Sequence, residues 1–283
     1  MGGSKSLDRI AKRFRRDPVT IAFSSILLFI VALAIFAPWI APFQPFDGDL
    51  SRAFREPQAG HVMGTDQYGR DMLSRILHGA RISLVVGFIS VGISTAIGAP
   101  LGLVGGYYGG KVDQVVVHLT DLMLAFPGIL LALVIVGILG PSLTNTMIAV
   151  GIAQSPQRIR LIRGAVLSVK ENTFVEAARA AGASPVAIMY RHLLPNVISP
   201  LIVVSTLGMA SAILTAAGLS FLGLGAQPPQ AEWGAMLSAG RNYITRAWWL
   251  SVFPGLAITI TVLTMNVIGD AFRDALDPTH DLQ

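Results

Sequence analysis

The chain has 283 residues, 53% of them hydrophobic and only 13% charged. Soluble domains carry about 25% charged residues, so a surface facing mostly water is excluded. Cysteine is absent, which rules out disulfides, thiolate metal sites and a cysteine nucleophile.

The net charge of +5 is unevenly distributed. Lys5, Arg9, Lys12, Arg13, Arg15 and Arg16 precede the first apolar run. This pattern reads as a cytoplasmic anchor beside membrane lipid rather than a nucleic-acid surface. The run from Val19 to Ala37 exceeds the 7–15 residues usual in the core of a secretory signal, so it is expected to be an uncleaved span. The histidines His61, His78, His118, His192 and His280 are scattered, with no His-x-x-x-His pair. No metal or cofactor is expected.

Uncharged stretches recur at 19–45, 82–110, 122–157, 192–231 and 247–269. A bilayer span needs roughly 20 apolar residues, and the third stretch is too long for one helix. Gly140-Pro141-Ser142 is a turn signal inside it. A helical hairpin is expected there, with spans near 118–139 and 143–160. One span is expected near 197–218, followed by a loop through Pro228-Pro229. The prediction is an all-α membrane protein with six transmembrane helices. Lys and Arg divide 14 to seven in favour of cytoplasmic termini. The segments are 1–18 (basic cytoplasmic), 19–39 (first span), 40–81 (external loop), 82–270 (five-span core, with a cytoplasmic loop at 158–195) and 271–283 (cytoplasmic tail). No Asp, Glu, Lys or Arg is expected in the core of any span. Ion-coupled carriers usually place such groups there, so the conduit is expected to draw its energy from elsewhere.

The cytoplasmic loop carries the densest local signals. Thr173 and Glu176 fit a capping box, and the Ala- and Arg-rich run after them favours a helix. Gly182 stands where a C-terminal cap is expected. Ser184 and Pro185 fit the start of a second helix, expected to end before Pro195. Glu176-Ala177-Ala178, then Gly182, then His192-Leu193-Leu194-Pro195-Asn196 resembles the EAA motif of ABC importer permeases, with His192 where Ile is usual. Gly64-Thr65-Asp66-Gln67-Tyr68-Gly69-Arg70-Asp71 with Ser74 and Arg75 resembles the external-loop segment of the peptide branch. Segments at 79–84, 219–225, 228–234 and 266–278 agree, so the resemblance runs from about residue 15 to 278.

The resemblance implies the second, C-type permease of a dipeptide, oligopeptide or nickel importer, of type I architecture with a coupling helix. It implies no catalytic activity in this chain. It also implies four kinds of partner: a homologous permease, two ATP-binding subunits, an extracytoplasmic binding protein and membrane lipid. Glu176, Ala177, Ala178, Gly182, Ser184, Pro185, His192, Leu194 and Pro195 would couple the pore to the ATPase. Asp66, Arg70 and Asp71 would order the external loop, with Asp71 and Arg75 on one helix face. Glutathione and opines are alternative cargoes, and a stand-alone secondary transporter is the alternative class.

Three signals have plainer accounts. Gly105 to Lys111 satisfies G-x₄-G-K, but Val112 follows where a P-loop needs Ser or Thr. Trp248 and Trp249 are expected to anchor a span at the membrane interface. Gly92-x-x-x-Ala96, Gly98-x-x-x-Gly102 and Gly208-x-x-x-Ala212 fit either close helix packing or a smooth pore wall.

Overall fold

A computed structural model describes residues 17–276. The basic N-terminal cluster and the end of the acidic tail, with Asp277, Pro278, His280 and Asp281, lie outside the described residues. Among the described residues there is no β-strand.

The first helix, α1, spans Pro18–Ile40 and starts on Asp17, whose carboxylate accepts from the Thr20 amide. Helix α2 spans Met72–Tyr108, about 55 Å at 1.5 Å per residue. It begins ten residues before the expected span, so the last quarter of the predicted external loop is helical. Helices α3 (Gly110–Leu124) and α4 (Gly128–Leu139) follow, then α5 (Leu143–Val169). The hairpin turn at Gly140-Pro141-Ser142 forms as expected, with the Ser142 hydroxyl accepting from the Asn145 amide. The expected straight helix at 118–139 does not form. Pro127 lacks an amide proton, and α3 and α4 meet there at 91°.

Helix α6 spans Thr173–Ala180 and α7 Pro185–Ala187. A π-helical stretch, Ile188–Leu193, joins α7 to α8, Leu194–Phe221. The expected stop before Pro195 is therefore absent. Proline in a helix interior clashes with the carbonyl four residues back. The chain widens by one residue per turn instead, with the Leu194 amide donating to the Met189 carbonyl. Helices α9 (Trp233–Gly240) and α10 (Trp249–Leu276) complete the described residues.

Among the described residues four helical segments are long and apolar enough to cross a membrane, namely α1, α2, the α7–α8 run and α10. The bent α3–α4 pair raises the number to five if it counts as one span. The core forms three clusters stacked along α2. One gathers Met72, Trp233, Trp249 and Leu250, the next Val86, Val150 and Ala212, and the last Leu103, Ile162, Val175 and Leu193.

Helices α2 and α5 meet along two four-residue ladders. A Cβ on Gly98, Gly102 or Gly106 would lie 2.6–2.8 Å from the Cβ of Arg158, Ile162 or Val166. These glycines let the backbones approach, so the Gly98–Gly102 pair is packing rather than pore wall. Gly92 faces open space.

Candidate functional site

The bundle carries a built feature at each end. Where α2 ends, α6 and α7 form a short hairpin. Its inner face is set by Val175, Ile188 and Leu193, all essentially inaccessible to solvent, packed with Leu103, Ile162 and Val166. Burial of one Val side chain stabilises by about 1.5–3 kcal/mol, which fixes this hairpin to the bundle. The Lys170 ammonium adds a hydrogen bond to the Gly106 carbonyl at 3.0 Å.

The corner between the helices is a Schellman closure. The Gly182 amide donates to the Arg179 carbonyl and the Ala183 amide to the Ala178 carbonyl, both at 3.0 Å. Gly182 has φ +80°, a region that costs a residue with a Cβ about 1–2 kcal/mol. The Ser184 hydroxyl accepts from the Ala187 amide, and Pro185 opens α7. The expected capping box does not form. Asn172 holds the N-cap position without a side-chain cap, and Thr173 is already helical. Glu176 is thereby displaced one position from the place where a capping-box glutamate reaches back.

Glu176, Ala177, Gly182, Ser184, Pro185 and Pro195 are exposed, whereas Ala178, His192 and Leu194 are half-buried. The exposed set combines small side chains with the exposed apolar groups Phe174, Val186 and Tyr190. The His192 ring lies 6.5 Å from that of Phe174. The Asn196 side-chain Nδ2 donates to the His192 carbonyl at 2.6 Å.

At the opposite end, where α2 begins, the loop before it closes into a polar knot. Asp66 accepts from the Tyr68 and Arg70 amides and from Arg70 Nε at 2.6 Å. Arg75 Nε lies 3.6 Å from the same carboxylate, and Arg75 Nη1 donates to the Pro45 carbonyl. Asp71 caps α2, accepting from the Ser74 amide and hydroxyl, and pairs with His61 at 3.0 Å. The expected Asp71–Arg75 contact is thus replaced by Asp71–His61 and Asp66–Arg75. The N-cap geometry turns Asp71 toward the helix start. Trp249 is buried, and its indole N–H donates to the Thr65 carbonyl at 3.0 Å. Trp248 is exposed.

Two buried ionisable groups escaped the sequence patterns. Glu232 caps α9, accepting from the Gly234 and Ala235 amides at 2.9 and 2.8 Å. Burial pushes its carboxyl above the usual value, against the two amide bonds that lower it. The usable signal was an isolated acid directly before Trp233-Gly234. Arg158 lies inside α5, wholly buried. Its Nη1 donates to the Ser94 hydroxyl at 2.7 Å, while Nε and Nη2 have no hydrogen-bond partner. Arg158 stands where the cytoplasmic loop is expected to begin, but α5 continues through it to Val169. Its place at the end of an uncharged stretch hid how far α5 continues. Among the described residues no group of His, Asp and Glu could hold a metal ion.

Gly109 and Gly110 form the turn between α2 and α3, each with positive φ. The G-x₄-G-K segment is accordingly a helix end and a corner.

Comparison with known proteins agrees across the chain. Residues 98–280 match the family described as binding-protein-dependent transport system inner membrane component. Residues 7–57 match the N-terminal TM domain of oligopeptide transport permease C. The di/tripeptide transport system permease protein of Pseudomonas aeruginosa is 48% identical, covering 89% of this chain and 85% of the relative. The glutathione transport system permease protein of Pectobacterium atrosepticum is 44% identical, covering 94% and 89%. The probable D,D-dipeptide transport system permease protein of Escherichia coli is 43% identical, covering 93% and 88%. A chain of the inward-facing methionine ABC transporter MetNI shares the fold, with TM-score 0.59 and 22% identity. That match covers 73% of this chain and 98% of the MetNI chain.

Proposed function

Since the chain belongs to the family of binding-protein-dependent transport system inner membrane components, we propose that it is one of two pore-forming permeases of an ATP-driven importer of di- and oligopeptides. In this reading α1, α2, α3–α4, α5, the α7–α8 run and α10 are six spans, with both termini cytoplasmic. A different but homologous permease packs against the five-span core. Two ATP-binding subunits attach at the α6–α7 end, and an extracytoplasmic binding protein delivers cargo at the Asp66 end. ATP hydrolysis resides in the attached chains, and this chain is non-catalytic.

One observation carries the proposal. A hairpin with the EAA spacing is locked to the bundle by buried Val175, Ile188 and Leu193, while its outer face stays open. A rigid connection of this kind can pass a displacement from a docked subunit into α5 and α8, which flank it in sequence. Coupling then requires only that the nucleotide-bound ATPase binds one conformation of the pore more tightly than the other. Small residues at Ala177, Ala180 and Gly182 let a partner surface approach closely, and Glu176 offers a charge at its edge. Glutathione is the second cargo, because two kinds of permease with these printed names, for dipeptides and for glutathione, align over most of the chain.

Gly182→Val and Glu176→Lys test the coupling role. Both variants are expected to insert into the membrane at normal levels and to lose most peptide uptake in proteoliposomes containing the full complex. Uptake at the unmodified rate in both variants would remove the coupling assignment. Uptake by this chain without any ATPase would favour a secondary transporter instead.

A further inference from the structure

The polar knot at the start of α2 does more than close a loop. It walls a cavity of about 210 Å³ whose lining includes Asp66, Arg70, Arg75, Gln230 and Ala239. Both arginine residues are buried, as is Asp66. Two arginines and one carboxylate line it. Asp66 already accepts from two amides and from Arg70 Nε. Asp71 faces His61 and the cap of α2 instead. Donors are left over at the cavity, because Arg70 uses only Nε, and Arg75 only Nη1, in hydrogen bonds with described residues. The remaining η nitrogens are not among the solvent-sealed unsatisfied atoms. Meanwhile the Arg70 guanidinium carbon is held over the Tyr68 ring, 4.6 Å from its centroid. It is therefore pre-ordered, which lowers the entropic cost of a two-pronged contact.

We infer that Arg70 and Arg75 form a socket for a single carboxylate presented from outside this chain. The unused donors call for an acceptor, and a guanidinium fork matches the two oxygens of a carboxylate. The floor of the cavity is made by Met72, Met236 and Leu250, buried members of the core cluster. The socket is therefore a dead end rather than part of a passage. It suits an acidic side chain of the docking binding protein, or the terminal carboxylate of a peptide still held by it. The inference rests on the importer reading above.

The test uses the complete transporter in lipid nanodiscs and its purified extracytoplasmic binding protein, peptide-free or loaded with dialanine. Ala239→Glu supplies a carboxylate in cis at the cavity and leaves the Asp66 knot untouched. Ala239→Gln adds the same bulk without charge. If a binding-protein side chain fills the socket, Ala239→Glu weakens docking of the peptide-free protein about tenfold at low salt, and Ala239→Gln no more than about threefold. Arg70→Gln weakens it similarly, and the difference between low and high salt shrinks. If the peptide's own carboxylate fills the socket, peptide-free docking holds while Ala239→Glu weakens docking of the dialanine-loaded form by a similar factor. Equal behaviour of Ala239→Glu and the unmodified chain in both arms, with unchanged melting, overturns the socket. Failure of the unmodified complex to dock the binding protein at all would count against the importer reading itself.

Discussion

Glu232 and Arg158 set the terms at the residue scale, since each is an ionisable group withdrawn from water. Glu232 keeps both oxygens on the first amides of α9, and its carboxyl is raised by burial. A raised carboxyl binds its proton more tightly in the folded protein than in the unfolded one. Its contribution to stability is then fullest at acid pH and is lost as the pH climbs through the raised folded value. Glu232→Gln removes that dependence and one cap acceptor, a loss of about 0.5–2 kcal/mol. Thermal melts of both proteins from pH 4.5 to 8 are expected to give the widest gap at the acid end. Arg158 is a lone cation beside Ser94, filling the notch left by Gly208. Replacing a buried charge by an apolar group of similar size is often neutral, or stabilising by about 1–4 kcal/mol. Arg158→Met is therefore expected to melt no lower than the unmodified protein. Gly208→Val, which collides with the guanidinium, is expected to melt well below it.

The elements are shaped by where prolines and glycines fall along the apolar runs. Helices α1, α2, α5, α8 and α10 each carry an interior proline, namely Pro38, Pro100, Pro156, Pro200 and Pro254. Such breaks are tolerated in membrane helices because neighbouring groups satisfy the freed carbonyls. Along α2, glycine decides which face meets α5. Gly102→Leu would drive a side chain toward Ile162 and the Ile159 carbonyl, and overpacking of this kind costs about 1–3 kcal/mol. Gly92→Leu points into open space and is expected to change stability by less than about 0.5 kcal/mol. Scanning fluorimetry on the two variants separates packing glycine from surface glycine. The hairpin of α6 and α7 follows the same logic in miniature. Its corner was legible because a Schellman closure has a local signature. Its N-cap was misplaced by one residue because Asn172 and Thr173 are both competent caps and only the tertiary path selects between them.

For the whole molecule, the decisive arrangement is the separation of the two polar features by the length of α2, about 55 Å. Helix α5, with three arginines, lies between them in sequence. Arg160 and Arg163 leave the bundle to pair with Asp121 and Asp113 of α3 at 2.8 and 2.5 Å. The absence of cysteine makes the topology directly testable with single cysteines. Gln67→Cys is expected to react with an impermeant maleimide on intact spheroplasts, and Ala181→Cys only after lysis. Labelling of both from outside would overturn the six-span arrangement. The sequence by itself determined the solvent of the fold, the apolar runs, the hairpin turn at Gly140 and the glycine corner at Gly182. All of these follow from composition or from interactions within a few residues. Tertiary structure alone decided the continuation of the helix through Pro195, the partners of Asp66, Asp71 and Arg75, and the burial of Arg158, Glu232 and Trp249. Those outcomes depend on groups brought together across tens to hundreds of residues, such as Arg158 with Ser94 and Trp249 with Thr65. Local propensity contains no term for contacts of that range.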